Sequence, residues 1–529
     1  MKLISLAAVL LTGAATAVLA QPVTAPEIMP QGRGAGRGEA ALPPEAIAKI
    51  TGGKEIPPGP VQPTWDSIRE HYTTPQWFLD GKFGIYFHWG LYSIPARQSE
   101  WYVRYIYGGN AGIMNDHVKK YGPLDKFGYK DFIPLFKAEK FNPNEWVALF
   151  KKAGARYMMA MGEHHDGFSM WDSALNKYNA KAMGPHRDLV GELAVAARQQ
   201  GLKFGVSNHS FEHFTFIRPP AADIKTDLYD PQWADFYSVA DRSQAAHLKF
   251  LDLWVAKNFE LIDKYQVDML WFDNGQNGRV WDPLKLRVGA YLYNRAAEWG
   301  KQVSISTKST AYLAGSIMDY ERQGRILPRE IKPFAWQVDD PIGSKFGYVE
   351  EIQYKDAALL VHRLIDCVSM NGNYLLNISP RGDGSIPQEQ QDRLLAMGRW
   401  LDVNGDAIYG TRPWTRYGEG PYYDAPAAAA RGADDPPGEA YSAKEIRFTT
   451  KGDALYAIVT GWPGEQALIT SLATGSASLS GGKIEKVELL GHSGALAFTQ
   501  DAEGLKVKFP AEKPCDFAYA LKITGLKLR

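Results

Sequence analysis

Acidic and imidazole side chains in this chain recur at the ends of short apolar runs, where a sheet would present them to a substrate. The plainest instance is Val267-Asp268-Met269-Leu270-Trp271-Phe272-Asp273-Asn274-Gly275, an apolar and aromatic run that stops on a carboxylate and an Asn-Gly turn pair. A buried strand ending this way delivers Asp273 to the rim of a sheet, where it could serve as nucleophile or general base. Taken alone, the same Asp could equally be a turn or helix cap. The other runs bear on the choice. They end in His88-Trp89, in Glu163-His164-His165-Asp166, in Ser207-Asn208-His209, at Lys308, in Asp319-Tyr320-Glu321-Arg322, in Gln337 with Asp339-Asp340, and at Asn377. One polar residue after a strand is readily a cap, whereas a polar group after nearly every strand describes a site.

The mixture of groups narrows the chemistry. Four histidines could suggest a metal, but His164 and His165 are adjacent and would point to opposite faces of a strand. Neither a His-x-His strand pair nor a His-Glu-x-x-His helix is present. A metal-dependent hydrolase with His164 or His165 as ligand is therefore the alternative, and neither a metal nor a cofactor is expected. The Gly-x-Ser-x-Gly elbow of a serine hydrolase is missing. Two carboxylates from different strand ends, among His, Trp, Asn and Lys donors, suit a glycoside hydrolase, in which one attacks or activates water and the other protonates the leaving oxygen.

The elements that must position these residues alternate regularly from about Trp65. Apolar runs at 83–87, 157–161, 204–206, 269–272, 303–305, 316–318, 334–336 and 374–376 are separated by helical patterns such as 144–153, 188–200, 244–265, 283–299 and 355–370. About eight strand–helix units imply an α/β fold of the (β/α)8 TIM-barrel type, whose chemistry sits at the C-terminal strand ends. A doubly wound open sheet would place a Gly-rich phosphate turn after the first strand, where this chain has His88-Trp89-Gly90. Beyond the helical pattern at 389–403 the signal changes to short strands, which predicts a C-terminal all-β sandwich over residues 441–529. The remaining expected divisions are a signal peptide at 1–20, a flexible Pro-, Gly- and Ala-rich leader at 21–62, the barrel at 63–412 and a linker or insertion at 413–440.

Composition sets bounds on partners and location. Lys+Arg and Asp+Glu both number 59, for a formal net charge of zero, so neither nucleic acid nor an anionic membrane is an expected partner. Lys2, the apolar stretch 4–19 and Val18-Leu19-Ala20 before Gln21 form a cleavable export signal, which predicts a periplasmic or extracellular protein. The only two cysteines, Cys367 and Cys515, fall in different predicted domains and are expected as buried free thiols.

From about Trp65 to its end the chain resembles the α-L-fucosidases of glycoside hydrolase family 29. The resemblance is carried by Trp77-Phe78, by Lys82-Phe83-Gly84-Ile85-Tyr86-Phe87-His88-Trp89-Gly90-Leu91-Tyr92-Ser93 and by Glu100-Trp101-Tyr102. It continues through Lys152-Ala153-Gly154-Ala155-Arg156-Tyr157, Glu163-His164-His165-Asp166-Gly167-Phe168, Trp271-Phe272-Asp273, Asn371-Gly372-Asn373-Tyr374-Leu375-Leu376-Asn377-Ile378 and Asn404-Gly405-Asp406-Ala407-Ile408-Tyr409-Gly410. It implies a retaining, metal-free hydrolase of fucosylated oligosaccharides or glycoconjugates, with a barrel followed by a β-sandwich.

Carried over by position, the resemblance makes Asp273 the nucleophile. His88, Glu100, His164 and His165 would hold sugar hydroxyls, and Trp101 would pack near the fucose methyl. Phe168 and Trp171 are expected in the core. The chain departs from the family pattern in two places. In the third strand Ser207 stands where many relatives carry a Tyr, so Asn208 and His209 are expected to take over that contact. The family's arginine near the nucleophile has no clear counterpart, and Lys308 is its candidate replacement. The acid/base is assigned to Glu321, which follows the sixth strand, where relatives place this group. Asp339 and Glu330 are lesser candidates, and Asp319 is expected to be structural, pairing with Arg322 or Lys308. The long polar segment 214–243 should lie on the leaving-group side. A non-catalytic fucose-binding barrel is a further alternative, against which the retention of both carboxylates speaks.

Overall fold

The computed structural model describes residues 42–308, 311–321, 328–424 and 441–528. The expected export signal, the first part of the leader, Arg322 and most of the expected linker lie outside the described residues. Eight parallel strands close into a barrel: β1 (Phe83–Phe87), β2 (Tyr157–Glu163), β3 (Lys203–Asn208), β4 (Met269–Phe272), β5 (Ser304–Lys308), β6 (Ser316–Asp319), β7 (Trp336–Pro341) and β8 (Gly372–Ile378). β8 returns to pair with β1, Phe83 opposite Tyr374 through Phe87 opposite Ile378. All residues of β1, β2, β4, β5, β7 and β8 are buried, as expected of parallel strands with side chains inside and helices outside. That is why they read in sequence as near-continuous apolar runs.

Local chemistry sets the helix starts. Asn142 caps Pro143–Lys152, Asp188 caps Leu189–Gln200 and Ser243 caps Gln244–Tyr265, each accepting backbone N–H groups of the first turn. Gly201, at φ 81°, ends the second of these in the left-handed conformation that glycine adopts without strain. Asp282–Trp299, Ala357–Ser369 and Gln388–Asn404 follow β4, β7 and β8. Among the described residues, no helix joins β5 to β6 or β6 to β7. There the strands also run further than the apolar pattern indicated. β5 continues to Lys308, and β7 carries Asp339 and Asp340 within the sheet because each is paired. The Asp339 N–H donates to Asp319 Oδ1 at 3.0 Å, and Asp340 accepts from Arg363 at 2.6 Å and from the Tyr374 hydroxyl at 2.7 Å.

Two expected boundaries are corrected. Within the expected leader, residues 42–61 pack on the barrel. Ile47, Ile50 and Val61 are buried, and the Asn294 side chain ties this segment down through Val61 N–H and the carbonyls of Pro57 and Val61. The Pro and Gly content there specifies an extended path fixed by its contacts. Within the expected linker, Arg412–Glu419 is strand β9, an edge of the C-terminal domain's larger sheet, and its Trp414 enters that domain's core.

That domain has two antiparallel sheets. β13 (Gly482–Leu489), β16 (Tyr519–Leu526), β11 (Ala454–Val459), β10 (Ile446–Lys451) and β9 form one, and β12 (Gln466–Ile469), β15 (Leu505–Lys508) and β14 (Phe498–Gln500) form the other. Side chains of both sheets share one apolar cluster. The domain docks on the last two barrel helices: Trp400 Nε1 donates to the Ala518 carbonyl at 2.8 Å, and Arg447 reaches Asp366 at 2.7 Å and Glu445 at 3.0 Å. Cys367 is buried and Cys515 only half-buried, and the two do not form a disulfide. No described helix is long and apolar enough to cross a membrane.

Arg447 and Glu445 are buried and Asp366 is partly so, and removing Arg447 takes the paired cation from both carboxylates. Arg447→Met should destabilise the folded protein by about 3–5 kcal/mol, the scale for breaking a buried ion pair on one side. Thermal unfolding of the full chain measures it.

Candidate active site

The C-terminal ends of the barrel strands converge on Asp273, the residue directly after β4 and only 7% exposed. Its Oδ1 lies 2.6 Å from Lys308 Nζ, at the end of β5. Its Oδ2 lies 3.2 Å from both His165 Nε2 and His209 Nδ1. Burial would raise the pKa of this carboxyl, but the Lys308 charge, with His209 and His165 beside it, holds it well below the ordinary carboxylate value. The ammonium of Lys308 also lies 3.0 Å from Glu321 Oε2, and the Trp271 ring is 5.2 Å away. Burial would strip its proton, yet Asp273, Glu321 and Asp339 keep its pKa well above that of a free lysine. One cation therefore bridges the two carboxylates assigned as nucleophile and acid/base. Two oxygens touching one nitrogen can be no further apart than those contacts laid end to end, which is short of the ~6.5–9.5 Å of inverting glycosidases.

Around this pair stand four histidines. His88 donates Nδ1–H to the Asn377 Oδ1 at 2.7 Å, and Asn377 is itself oriented by donating Nδ2–H to the Phe346 carbonyl. This leaves Nε2 of a neutral imidazole to accept from a ligand. His164 is packed among His88, His165, His209 and Tyr92, with Nδ1 buried and without a partner. Burial, reinforced by neighbouring imidazoles, puts both His88 and His164 well below the usual histidine pKa. His209 Nε2 and the Tyr86 hydroxyl are 2.7 Å apart, and burial takes His209 down to about 4. His165 behaves oppositely: burial would lower it, but Asp273 and Glu212 raise it.

Adjacent His164 and His165 do not diverge as two strand residues would. β2 ends at Glu163, and the pair sits in the following turn with ring centroids 4.5 Å apart, both facing the mouth. Ligand atoms of His88, His164 and His209 lie within 4.8 Å of one another, as do those of His165, His209 and Asp273. The spacing argument against a metal is thereby corrected, since these atoms could surround an ion as well as sugar hydroxyls.

Glu100 is buried, accepts from the Gly347 N–H at 3.0 Å and is raised in pKa by burial. Trp101 is 38% exposed at the rim, edge-on to Phe216 and to His165, with the Arg104 guanidinium 5.6 Å from its ring. Phe216, from segment 214–243, stacks on His165 at 4.4 Å.

Asn208 is not brought into this group. Its Oδ1 accepts from the Ser210 N–H and hydroxyl, and its Nδ2 donates to Asn258, so it shapes the turn after β3. Glu163 is bound by Lys257 and Ser169, and Asp166 by Tyr129 and the Phe168 N–H. Asp319 is not among the carboxylates that Lys308 pairs with, and Arg322, the other charge suggested for it, lies outside the described residues; Asp319 accepts from Trp271 Nε1 and Gln337 Nε2, each at 2.7 Å, and from the Asp339 N–H. Asp339 is raised well above the ordinary carboxyl pKa by burial and the Asp319 charge. Glu330 is exposed and paired with Lys332, apart from the cluster. Phe168 and Trp171 are core residues. The sequence did not single out Tyr86, hidden inside an apolar run, or Glu212, whose Oε2 is 3.8 Å from His165 Nε2. Glu212 lies three residues beyond His209, on the 3-10 turn Ser210–Glu212, and that spacing was the available signal.

Comparison with known proteins follows this geometry. The α-L-fucosidase family model matches residues 51–406, and the model for the α-L-fucosidase C-terminal domain matches 440–524. Tissue α-L-fucosidase of Bos taurus is 30% identical over 491 residues, 88% of this chain and 91% of that protein. Human plasma α-L-fucosidase is 31% identical, covering 88% and 92%. The crystal structure of Thermotoga maritima α-fucosidase in complex with fucose superposes with a TM-score of 0.70 at 32% identity, over 88% of this chain and all of that one. The same enzyme in complex with a mechanism-based inhibitor superposes equally, at 31% identity. The chain belongs to the α-L-fucosidase family and is a glycoside hydrolase acting on α-L-fucosides.

Proposed function

We propose that the protein is an exported retaining α-L-fucosidase that releases terminal α-L-fucose from glycans through a covalent fucosyl-enzyme. The observation that supports this is the Lys308 bridge, which keeps the bridged oxygens of Asp273 and Glu321 closer together than an inverting pair stands. In the first step Glu321 gives its proton to the glycosidic oxygen while Asp273 Oδ attacks the anomeric carbon, and the aglycone leaves as the alcohol. Water then enters where the aglycone stood. Glu321 takes its proton, and the bond from the sugar to Asp273 breaks. His88, His164 and Glu100 line the mouth as hydroxyl partners, and Trp101 offers an apolar face at the rim. The ring of imidazole nitrogens within 4.8 Å favours one second reading, hydrolysis assisted by a metal at His88, His164 and His209.

On an aryl α-L-fucoside, Asp273→Gly should lower kcat by on the order of 10³-fold or more, with partial recovery when azide supplies a nucleophile, giving a fucosyl azide. Unchanged hydrolysis of that substrate by the variant would exclude the assignment. Prolonged treatment of the wild type with EDTA should leave kcat intact; loss of activity with release of stoichiometric metal would favour the second reading.

Asp273 has a depressed pKa, so the wild type keeps its nucleophile ionised as pH falls through the ordinary carboxylate range. Lys308→Met removes the main lowering charge, so the acidic limb of kcat/KM should move upward by about one unit or more. A kcat/KM profile from pH 3 to 8 reads the shift.

Export rests on Lys2 and the apolar stretch before Gln21. N-terminal sequencing of the protein recovered from the periplasm or medium should begin at Gln21; a retained Met1 in the cytoplasmic fraction would exclude export.

A further inference from the structure

The rim of the mouth carries two arginines to which the mechanism gives no task. Arg104 lies three residues beyond Trp101, and its guanidinium stands 5.6 Å from the Trp101 ring and 5.1 Å from the Phe216 ring. Its polar contact is a long one, Nη1–H donating to the Phe216 carbonyl at 3.4 Å. Glu212, whose charge it feels, turns its carboxylate to His165 instead. Arg218 adds a second cation, on an exposed side chain. Neither arginine pairs with a carboxylate among the described residues. Burial, and then the Arg218 charge, lower the Arg104 pKa from its ordinary value.

The backbone holds the two side by side. Arg104 leads into the π-helical turn Tyr105–Gly109, and a Cβ on its Gly108 would fall 2.5 Å from the Arg218 carbonyl oxygen and 2.8 Å from that of Pro219. Only glycine lets the chain beyond Phe216 lie this close. Two like charges fixed together at a half-buried site destabilise the free protein, and an anion between them reverses the sign. Their place relative to the reaction follows from the rings. Phe216 stacks on His165 at 4.4 Å and Trp101 is edge-on to it, so one aromatic layer separates the guanidinium from the imidazole that faces Asp273 at 3.2 Å. Glu100, which precedes Trp101, feels the Glu321 charge, so the assigned proton donor stands toward this part of the rim. The leaving oxygen faces its proton donor, and the aglycone therefore departs past Trp101 and Arg104.

We propose that Arg104 and Arg218 form an anion subsite for the leaving group, and that the preferred substrate is an α-L-fucoside of an acidic sugar, one that carries a carboxylate or sulfate on the ring next to the fucose. This rests on Glu321 being the acid that protonates the leaving oxygen. A planar guanidinium presents paired N–H donors to two oxygens of either group. Packing against Trp101 and Phe216 already restricts the Arg104 side chain, so little freedom is lost when the anion binds. The contact is remote from the anomeric carbon and the same in ground and transition states, so it lowers KM and leaves kcat alone.

The test compares two matched pairs of aryl α-L-fucosides, meta-carboxyphenyl against meta-carbamoylphenyl and meta-sulfophenyl against meta-sulfamoylphenyl. Aryl leaving groups keep linkage preference out of the comparison. The wild type should favour the anionic member of at least one pair by about fivefold or more in kcat/KM, chiefly through KM. Preference in the carboxy pair alone would assign the subsite to uronates, and in the sulfo pair alone to sulfated sugars. Arg104→Met should bring the ratio to about one, and Arg218→Ser, at an exposed position, should lower it by about twofold or more. Both members of a pair share the fucose, so a general disturbance of the site by either variant cancels in the ratio. For the wild type, raising salt from about 0.02 to about 0.5 M should shrink the ratio, a measurement independent of folding in the variants. Equal kcat/KM within both pairs, or a preference that survives Arg104→Met, would overturn the inference. Glu321→Gln should slow the meta-carbamoylphenyl fucoside far more than a dinitrophenyl fucoside, whose leaving group needs no proton. Equal slowing of the two would instead remove the acid assignment on which the inference rests.

Discussion

A buried lysine needs anions, and in this protein that requirement organises the catalytic end of the barrel. Lys308 touches Asp273 and Glu321 at once. Removing an ammonium from water costs several kcal/mol even after relaxation, so the cation is tolerable only where strand register keeps both partners close. The pairing of β5 with β4 and β6, Phe272 opposite Thr307 and Lys308 opposite Asp319, supplies that register. Trp271 links the same strands from below, lying 5.2 Å from the ammonium while its Nε1–H binds Asp319. The position of the nucleophile, its ionisation and the distance to its partner are consequences of one ion cluster held by three adjacent strands.

The histidines around it divide by electrostatics rather than by sequence. Desolvation lowers the pKa of His88, His164 and His209; in His88 and His164 neighbouring imidazoles add to it, and in His209 it outweighs Asp273 at 3.2 Å. Neutral imidazoles can both accept from and donate to hydroxyls, which is what a sugar offers. His165 shares the same burial but faces two carboxylates, Asp273 and Glu212, and its pKa is raised instead. One residue type thus takes opposite pKa shifts a few ångströms apart, because of the four only His165 faces both Asp273 and Glu212.

How much of this was legible in the chain depended on whether a residue's role was local. The barrel could be read because six of its eight strands are fully buried, so hydrophobic run, strand and core position coincide. Asp273 and His209 could be placed because an abrupt polar stop marks a strand end. The strand ends at β5 and β7 could not, since Lys308, Asp339 and Asp340 look like loop residues until their cross-strand partners are known. Asn208 looked like a ligand-facing residue, but its amide is consumed by Ser210 two positions on, a local bond that a linear pattern does not distinguish from an open one. The leader and linker boundaries moved for the same reason. Pro- and Gly-rich sequence indicates non-helical backbone, and tertiary contacts such as those of Asn294 with residues 57–61 decide whether it is ordered.

The two carboxylates also sit in differently built sectors. Asp273 and the histidines come from strands followed by capped helices, with Gln244–Tyr265 and Asp282–Trp299 packed behind β3 and β4. Lys308 and Glu321 come from β5 and the end of β6, where no helix intervenes among the described residues. Groups on helix-backed strands are held within narrow limits, whereas groups on loops can be re-sited with little cost to the core. The nucleophile and its imidazole shell are thereby fixed to the rigid half, and the proton donor to the half that can vary. Lys308 is what couples them. By binding both carboxylates it ties Glu321, beyond the end of β6, to Asp273 at the end of β4, so the separation of the two is set by a contact inside the site as well as by the backbone.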